Sequence, residues 1–427
     1  MDKINELPVP IPDNDRSALV RSKREESREW VINTYRKHQL TQTSSWLDNV
    51  LGEGAREKSY LIPILLDTNP IRHRQSIQEQ VFPAPRIIHE DLLMTDHMKV
   101  MLEAGCGMGK TTFLKYYQEQ MLQQIPHPVY PLPVYFNLGN LQEGNGIQQF
   151  MESVHKEMLG VILIAGQEDS EPLLDEELLL KTIKSLEREG RILFMLDALD
   201  QLPPEDRFQV YLEAFVEDKT FRSNRLILAT RKFSFGPLAT DSIIQRGKDA
   251  AFHVAFEKID EQKRSIFLGE VQKNKDVAIL GKYSPELMEV PLVLKMLRVL
   301  SDKDSLDGLT SRGEIYSAYF RHVLESEIEE NKVKYCEKVF DQLGEVALQL
   351  FDDGLSQRVD NIETGYSKER LKKEGYDTLI HDGIIPPALE KILQQTPGRW
   401  QFRHPSFQEY FASRKLAENQ DWKKTVA

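Results

Sequence analysis

A glycine-rich segment between an apolar run and a helix-forming stretch constrains the fold of this chain most. It reads Met101-Leu-Glu-Ala-Gly-Cys-Gly-Met-Gly-Lys-Thr-Thr112. Glycines at alternate positions let the backbone turn its N–H groups inward, and the helix that follows adds partial positive charge at its N-terminus. This arrangement after a strand predicts a phosphate-binding loop; the alternative is a chance glycine-rich strand-to-helix turn.

The side chains of this loop indicate a purine nucleoside triphosphate bound with Mg²⁺. Lys110 can reach the β- and γ-phosphates, and the Thr111 hydroxyl is placed to ligate the metal ion. Ala104 stands where the strict pattern has its first glycine, at a position that needs less backbone freedom than the later ones. The residues predicted to contact the nucleotide here are Ala104, Gly105, Cys106, Gly107, Met108, Gly109, Lys110, Thr111 and Thr112.

An acidic strand supplies a second part of the predicted site. The run Arg191-Ile-Leu-Phe-Met-Leu-Asp-Ala-Leu-Asp200 is apolar until Asp197 and carries a second acid at its end. A carboxylate at the C-terminal end of a parallel strand faces the crevice where ligands bind. We therefore expect Asp197 to orient Mg²⁺ through water and Asp200 to position or activate the attacking water. The alternative is that Asp197 only caps the turn.

A third polar position follows the next predicted strand, which ends in Thr230 and Arg231. A cationic side chain there can sense the γ-phosphate and stabilise charge during phosphoryl transfer. The alternative is an ordinary surface arginine. The predicted catalytic set is Lys110, Asp197, Asp200 and Arg231, and the predicted metal set is Thr111 and Asp197.

The surrounding pattern predicts an α/β fold. Strand-like runs alternate with helical stretches, which implies a parallel sheet with helices on both faces. The predicted strands are Val100–Leu102, Val134–Leu138, Ile192–Leu196, Leu226–Ala229 and Phe252–Ala255.

Past Phe256 the pattern becomes helical, with predicted helices at Asp260–Lys273, Pro285–Ser301, Glu314–Glu330, Lys334–Phe351 and about Pro405 to Ala417. A small hairpin with Trp400–Arg403 as one arm is also predicted.

The N-terminal region gives a weaker signal. The first fifteen residues are predicted to be an extended arm, and the charged stretch from Ser17 to about Gln39 has apolar residues at roughly helical spacing. Either it is a solvated helix with one apolar stripe, or the stripe docks a partner or a sister subunit. A polar loop is expected to follow, and then a strand or an extended apolar segment at Tyr60 to Leu66, which Pro63 places at an edge.

Composition excludes some classes of function. The formal charge of −12 argues against affinity for nucleic acid or an anionic membrane through phosphate neutralisation. Two cysteines in unrelated contexts indicate a reducing compartment. No signal peptide is visible and the apolar runs are too short to span a bilayer. These features predict a cytoplasmic location.

Several ordered motifs give the chain a resemblance to the NACHT family of STAND nucleotide-switch ATPases, relatives of the AAA+ enzymes. The resemblance covers about Leu92 to Ala417. Besides the phosphate loop, it rests on the segments Leu132-Pro-Val-Tyr-Phe-Asn-Leu138, Asp197-Ala-Leu-Asp-Gln201, Ala229-Thr-Arg231, Val290-Pro-Leu-Val-Leu294, Arg312-Gly-Glu-Ile-Tyr316 and Phe402-Arg-His-Pro-Ser-Phe-Gln-Glu-Tyr-Phe-Ala412. The acidic strand and the last segment are the most specific.

The resemblance implies a division into four parts: an N-terminal, mostly helical region of unknown role at 1–90, a nucleotide-binding domain at 91–255, a small helical domain at 256–303, and a winged-helix-like domain with the tail at 304–427. Pro291 corresponds to the family's proline near base and ribose. His404 corresponds to the winged-helix histidine that contacts the β-phosphate of ADP and holds the closed state. Gln201 replaces a second acid found in many relatives, so hydrolysis is expected to be slow.

The same resemblance implies a signalling role. The family rests closed with ADP, opens with ATP and assembles into homo-oligomers that activate an effector. We expect an NLR-like switch ATPase, of bacterial origin and active in antiviral defence, with an unidentified trigger. Its effector is expected to be the N-terminal hundred residues, a separate protein or another segment. The alternative is a nucleotide-binding scaffold that does not switch. A dedicated motor is disfavoured because no pore-loop signature is visible.

Overall fold

A seven-stranded mixed sheet forms the centre of the described part of the chain. The computed structural model describes residues 13–51, 66–68, 86–87, 99–105, 107–124, 131–138, 147–168, 175–199, 224–231, 251–256, 285–301, 306, 308–325, 332–356, 387–396 and 399–418. The sheet strands are β1 (Leu66–Thr68), β2 (Arg86–Ile87), β3 (Lys99–Ala104), β4 (Leu132–Asn137), β5 (Ile192–Asp197), β6 (Arg225–Arg231) and β7 (Ala251–Phe256).

The strand order is β2-β1-β7-β3-β6-β5-β4. The strands from β7 to β4 run parallel, while β1 pairs antiparallel with both β7 and β2. All five predicted strands are confirmed, and with them the parallel sheet of the predicted α/β class. The predicted strand at Tyr60 to Leu66 lies outside the described residues except for Leu66, which begins β1.

Helices cover both faces of this sheet, as the alternating pattern predicted. The helices of this part of the chain are α1 (Asp13–Leu51), α2 (Lys110–Gln124), α3 (Ile147–Glu168) and α4 (Glu176–Arg188). Alternate strand residues meet α2 on one face, and the others meet α1, α3 and α4 on the opposite face. The side chains of β5 are buried along its whole length, which is the pattern of a strand covered from both sides.

The N-terminal helix departs from the prediction in length. The structure already begins α1 at Asp13, within the predicted arm, and continues it past Gln39 to Leu51, where a polar loop was expected. Buried side chains recur every three or four residues along its second half, namely Val31, Thr34, Tyr35, Gln39, Thr43 and Leu47. They pack against α2 and α3. The predicted docking stripe is therefore occupied, over this half, by the protein's own sheet domain.

A second core follows in the C-terminal part. The helices and strands there are α5 (Pro285–Met288), α6 (Pro291–Ser301), α7 (Arg312–Glu325), α8 (Lys332–Ser356), α9 (Pro387–Glu390), the hairpin of β8 (Leu393–Thr396) and β9 (Arg399–Phe402), and α10 (Pro405–Glu418). Rings from α7 and α10 stack and cross in its centre, including Tyr316, Phe320, Phe407 and Phe411. The hairpin and the last helix agree with the prediction.

One predicted helix is divided. Pro285–Ser301 was expected to be continuous, but the structure breaks it at Glu289 and Val290 and starts α6 at Pro291. Proline disfavours a helical conformation in the residue before it and lacks an N–H, so it suits the first position of a helix. The predicted helices at Asp260–Lys273 and 326–330 lie outside the described residues.

Within the described ranges, no helix combines the length and the apolar character needed to cross a membrane.

Candidate functional site

The glycine-rich loop joins the end of β3 to the start of α2, in the centre of the sheet. Gly107 has φ 78° and Gly109 has φ 89°, a left-handed conformation that other residues rarely adopt. The N–H of Phe113 donates to the Gly109 carbonyl at 2.8 Å, which closes the first turn of α2. The predicted strand–loop–helix context is therefore present. Cys106 lies outside the described residues.

Lys110 lies across the loop that precedes it. Its Nζ donates to the carbonyl oxygen of Ala104 at 2.9 Å and to that of Gly105 at 3.2 Å. These contacts hold the ammonium group at the loop rather than in solvent. A cation so held can bind the oxygens of a polyphosphate.

Asp197 is the buried acid of the site. Its Oδ2 accepts hydrogen bonds from the Thr111 hydroxyl at 2.5 Å and the Tyr135 hydroxyl at 3.1 Å, and its Oδ1 accepts the N–H of Ala198 at 2.8 Å. Burial raises the pKa of the carboxyl, and these bonds together with the charge of Lys110 oppose the rise. Since the Thr111 hydroxyl donates to the carboxylate, its lone pairs are left for a metal ion.

The backbone just after this acid is unusual. Ala198 has φ 61°, in the left-handed region, although it is not a glycine. Its methyl group and the side chain of Leu199 are buried. This turn directs the Ala198 N–H back to the Asp197 carboxylate. The second predicted acid, Asp200, lies outside the described residues.

Tyr135 and Lys115 are site residues that sequence reasoning did not find. Alternation along β4 turns Val134 and Phe136 to one core and Tyr135 towards Asp197. The Lys115 ammonium lies 3.6 Å from the centre of the Tyr135 ring. Burial lowers the pKa of Lys115 to about 8, partly offset by the carboxylates of Glu157 and Asp197. A polar ring in an otherwise apolar buried strand was the available signal.

Arg231 ends β6, the strand between the loop strand and the acidic strand. In the register of the sheet it pairs with Ala104, so it begins beside the phosphate loop. Its guanidinium forms an ion pair with Glu409 of α10, with 2.7 Å between Nη1 and Oε1. Its neighbour Thr230 points to the opposite face, where its buried hydroxyl has no hydrogen-bond partner among the described residues.

The start of α6 contacts the phosphate loop directly. The N–H of Leu292 donates to the Gly107 carbonyl at 3.3 Å. A Cβ atom placed on Gly107 would lie 3.0 Å from Val290 Cγ1 and 3.3 Å from Leu292 Cβ. Both sequence neighbours of Pro291 therefore contact the loop, and Pro291 lies beside it. Gly107 is required both by its φ angle and by this close approach.

His404 caps α10 with its side chain. The N–H of Ser406 donates to His404 Nδ1 at 3.1 Å, so the ring occupies the position of a helix N-cap. Burial, followed by the charges of Arg231, Lys110 and Arg312, lowers the pKa of His404 to about 3. The half-buried ring thus lies within the electrostatic reach of both Lys110 and Arg231. Groups from the loop, from β6 and from α10 therefore converge.

Comparison with family models decides what kind of domain surrounds this loop. Residues 99–275 match the model described as NACHT domain. The chain carries a NACHT domain. A NACHT domain is a P-loop NTPase domain, so the predicted family is confirmed for these residues. No curated protein matches the sequence significantly.

Three matches among solved structures extend over most of the chain, each at low similarity. A Walker-type ATPase of Pyrococcus abyssi is 12% identical with a TM-score of 0.34, over 76% of this chain and 93% of that one. The ORC2 protein of Aeropyrum pernix is 12% identical with a TM-score of 0.30, over 83% and 99%. RuvB of Thermotoga maritima is 11% identical with a TM-score of 0.26, over 75% and 90%. Likeness at this level transfers no activity or partner.

The NACHT domain offers a small set of ligands for a metal ion. Within the described residues, no cluster of three or more His, Cys, Asp or Glu side chains could hold one. A cation beside Asp197 and Thr111 would therefore complete its shell with phosphate and water oxygens. That coordination suits Mg²⁺, which keeps several waters and binds through one or two carboxylates plus substrate phosphates. The residues present thus fit a Mg²⁺–nucleotide complex.

Proposed function

We propose that this protein is a slow ATPase of the STAND type that works as a nucleotide-dependent switch, closed with ADP and open and oligomeric with ATP. The observation that carries the proposal is the ion pair between Arg231 of the NACHT domain and Glu409 of the C-terminal part, beside His404, on which the charges of Arg231 and Lys110 act. A ligand at the loop would thus contact both parts of the chain. Its identity can then set whether they stay together.

Each site residue has a defined role in this proposal. The loop N–H groups and Lys110 bind the β- and γ-phosphates, and Thr111 and Asp197 hold Mg²⁺, Asp197 through water. Bound Mg²⁺ supplies neutralisation of the negative charge that develops on the phosphates. Asp200 positions the attacking water, and Arg231 stabilises the γ-phosphate. Pro291 lies near base and ribose, and His404 donates to the β-phosphate of ADP.

The ion pair of Arg231 gives the switch a physical basis. Arg231 can bind Glu409 or a γ-phosphate oxygen, and a γ-phosphate is present only in the triphosphate. With ADP, Arg231 keeps Glu409 and His404 keeps the β-phosphate, so two contacts hold the C-terminal part closed. With ATP, Arg231 turns to the γ-phosphate and one of these contacts is lost. The small helical domain (256–303) and the winged-helix-like domain (304–427), or one of the two, would then move away from the nucleotide-binding domain.

The cellular role rests on the resemblance to the family alone. It supports a switch of bacterial origin that acts in defence against phage, with homo-oligomerisation in the ATP state and an unidentified trigger; the composition supports a cytoplasmic location. The effector is a separate protein or another segment. A non-switching scaffold is the alternative that the experiment must separate from it.

The test is the oligomeric state of the full chain with ADP and with a non-hydrolysable ATP analogue, both with Mg²⁺, measured by mass photometry. We expect a monomer with ADP and a larger assembly with the analogue. Lys110→Ala should remain monomeric in both because the loop loses its phosphate cation. Lys338→Ala, on an exposed position of α8, is the matched control and should behave as wild type. Identical monomer profiles of wild type in both nucleotides would leave only the scaffold.

A further inference from the structure

We propose that Arg312, Tyr316 and Ser406 form a directional hydrogen-bond relay that fixes His404 as the neutral tautomer with its proton on Nε2. The ring then presents a donor, and not a lone pair, on the side away from α10. Its use towards a phosphate oxygen rests on the function proposed above. The tautomer itself does not.

The first step is the cap of α10. A backbone N–H can only donate, so the nitrogen that receives the Ser406 N–H must carry a lone pair. That nitrogen is Nδ1. In a neutral imidazole the other nitrogen, Nε2, then carries the proton.

The second step is the direction of the side-chain bonds. A guanidinium can only donate, and Arg312 Nη2 lies 3.1 Å from the Tyr316 hydroxyl oxygen, which must therefore accept. The Tyr316 hydroxyl is left to donate to Ser406 Oγ at 3.1 Å. Ser406 Oγ in turn lies 2.6 Å from His404 Nδ1 and donates to it. The Arg312 guanidinium at one end and the Ser406 backbone N–H at the other can only donate, and together they set the direction of the hydrogen bonds between them.

The third step is the burial of the relay. Tyr316 and Ser406 are each only 2% exposed, so water has little access to reverse either hydroxyl. Rings from α7 and α10 pack around them, with Tyr316 5.5 Å from Tyr410 and 6.2 Å from Phe407 between centres. In such surroundings a hydroxyl that loses its partner is costly, which keeps the direction fixed.

The charges around His404 favour the same state. Lys110, Arg231 and Arg312 are its charged neighbours, and each disfavours a second proton on the ring. The ring is therefore neutral, and the cap together with the relay decides which nitrogen keeps the single proton. An anion near Lys110 and Arg231 would meet an N–H donor.

The direct test reads the tautomer in the full-length protein without nucleotide. Ring ¹⁵N shifts are recorded with ¹⁵N-histidine labelling, and His404→Gln identifies the signal that belongs to His404. We expect wild type to show an Nε2-protonated ring. Ser406→Ala and Tyr316→Phe should move both ring shifts towards averaged values, more so for Ser406→Ala. Tyr319→Phe, the same change on the same helix outside the relay, should leave them unchanged. An Nδ1-protonated ring in wild type, or unmoved shifts in both relay variants, would overturn the relay.

A kinetic cycle connects the relay to the proposed function. We expect Ser406→Ala to release a fluorescent ADP about five- to tenfold faster in the wild-type background, since one donor is lost for part of the time. In the His404→Gln background the same change should have no more than a twofold effect, because a glutamine amide donates without any tautomer to select. Equal effects in both backgrounds would mean that Ser406 acts only through packing, and would overturn the relay. Relay-dependent ¹⁵N shifts with ADP release unchanged in His404→Ala, which has no side-chain donor, would uphold the relay and remove the His404–phosphate contact.

Discussion

The carboxylate of Asp197 illustrates how the site is held at the scale of single residues. Burial alone would favour its protonated form, yet hydroxyls from α2 and β4 and the next backbone N–H all stabilise the ion. Removing one donor from a buried acceptor costs about 1–3 kcal/mol. The exact set of donors therefore matters for any metal ion placed beside Asp197.

Tyr135→Phe tests that set. The change removes the hydroxyl that donates to Asp197 but keeps the ring under Lys115. We expect affinity for the Mg²⁺–ATP complex to fall about fivefold, with little change for metal-free ATP, because the oriented carboxylate serves the metal. Isothermal titration with and without EDTA measures both. Tyr117→Phe, which removes a buried hydroxyl from α2, is the control; equal losses in the two variants would contradict the assignment.

His404 gives a pH dependence of known sign. Its pKa lies near 6.5 in the unfolded chain and is lowered to about 3 in the fold, so the folded state binds fewer protons. The stability that depends on the neutral ring is complete above pH 6.5 and is lost as pH falls towards 3, by at most about 1.4 kcal/mol per pH unit.

Urea unfolding at pH 7.5 and pH 5.5 checks this sign. Wild type should lose about 1 kcal/mol more than His404→Gln between the two values, since glutamine does not titrate. Lys110, Arg231 and Arg312, the charged groups that face the ring, keep their charge over this range. Parallel losses in the two proteins would show that the ring is protonated as easily in the fold as outside it.

At the scale of helices and strands, close approach decides which sequences fit. A Cβ atom on Gly344 of α8 would lie 3.0 Å from Lys415 Cβ and 3.3 Å from the Phe411 carbonyl oxygen of α10. Gly160, in the interior of α3, has nothing within 4 Å of the same point. Both glycines lie inside helices, but only Gly344 has a neighbouring helix packed against the position that a Cβ atom would take.

Alanine at these two positions should have opposite effects. Gly160→Ala is expected to stabilise by about 0.5–1 kcal/mol through helix propensity. Gly344→Ala is expected to destabilise by about 1 kcal/mol, because α10 must move outward and loses contacts in its core. Differential scanning fluorimetry compares the two midpoints. A rise for both variants would show that α8 and α10 adjust freely.

The sequence predicted those elements whose physical signal is local. Short apolar runs between helical stretches indicated β3 to β7, and the Gly-Lys-Thr ending indicated the loop at Lys110. The end of α1 after Gln39 was missed because its contacts are polar and distant: Thr43 donates to Gln118 at 3.2 Å, and Ser44 to Glu119 at 2.5 Å. A run of polar residues in a sequence is typical of a loop. Only the contact with α2 shows that these side chains are buried in a helix. Glu409 was missed for the same reason, since its partner Arg231 is far away in the chain.

At the scale of the whole molecule, the ion pair between Arg231 and Glu409 joins the NACHT domain to the last helix. The two side chains are 30% and 39% exposed, so solvent and salt screen the pair. Such pairs contribute about 0.2–1 kcal/mol. The ion pair can therefore favour the closed arrangement, but it is too weak to hold the two parts together alone.

Glu409→Gln should therefore release ADP about two- to fivefold faster, with the difference shrinking at high salt. Stopped-flow displacement of a fluorescent ADP at low and high salt measures the rate. Glu418→Gln is the control, because within the described residues Glu418 pairs with Arg414 on the same helix. Equal rates for the two variants at low salt would separate the ion pair from closure.

The left-handed backbone at Ala198 has a consequence for anyone who engineers this protein. A left-handed alanine costs about 1–2 kcal/mol, and glycine relieves this while losing about 0.5–1 kcal/mol to the entropy of the unfolded chain. A library selected for heat resistance alone would thus be drawn to glycine at this position. The same change would loosen the turn that aims the Ala198 N–H at Asp197. Thermostability gained there would come at the expense of turnover.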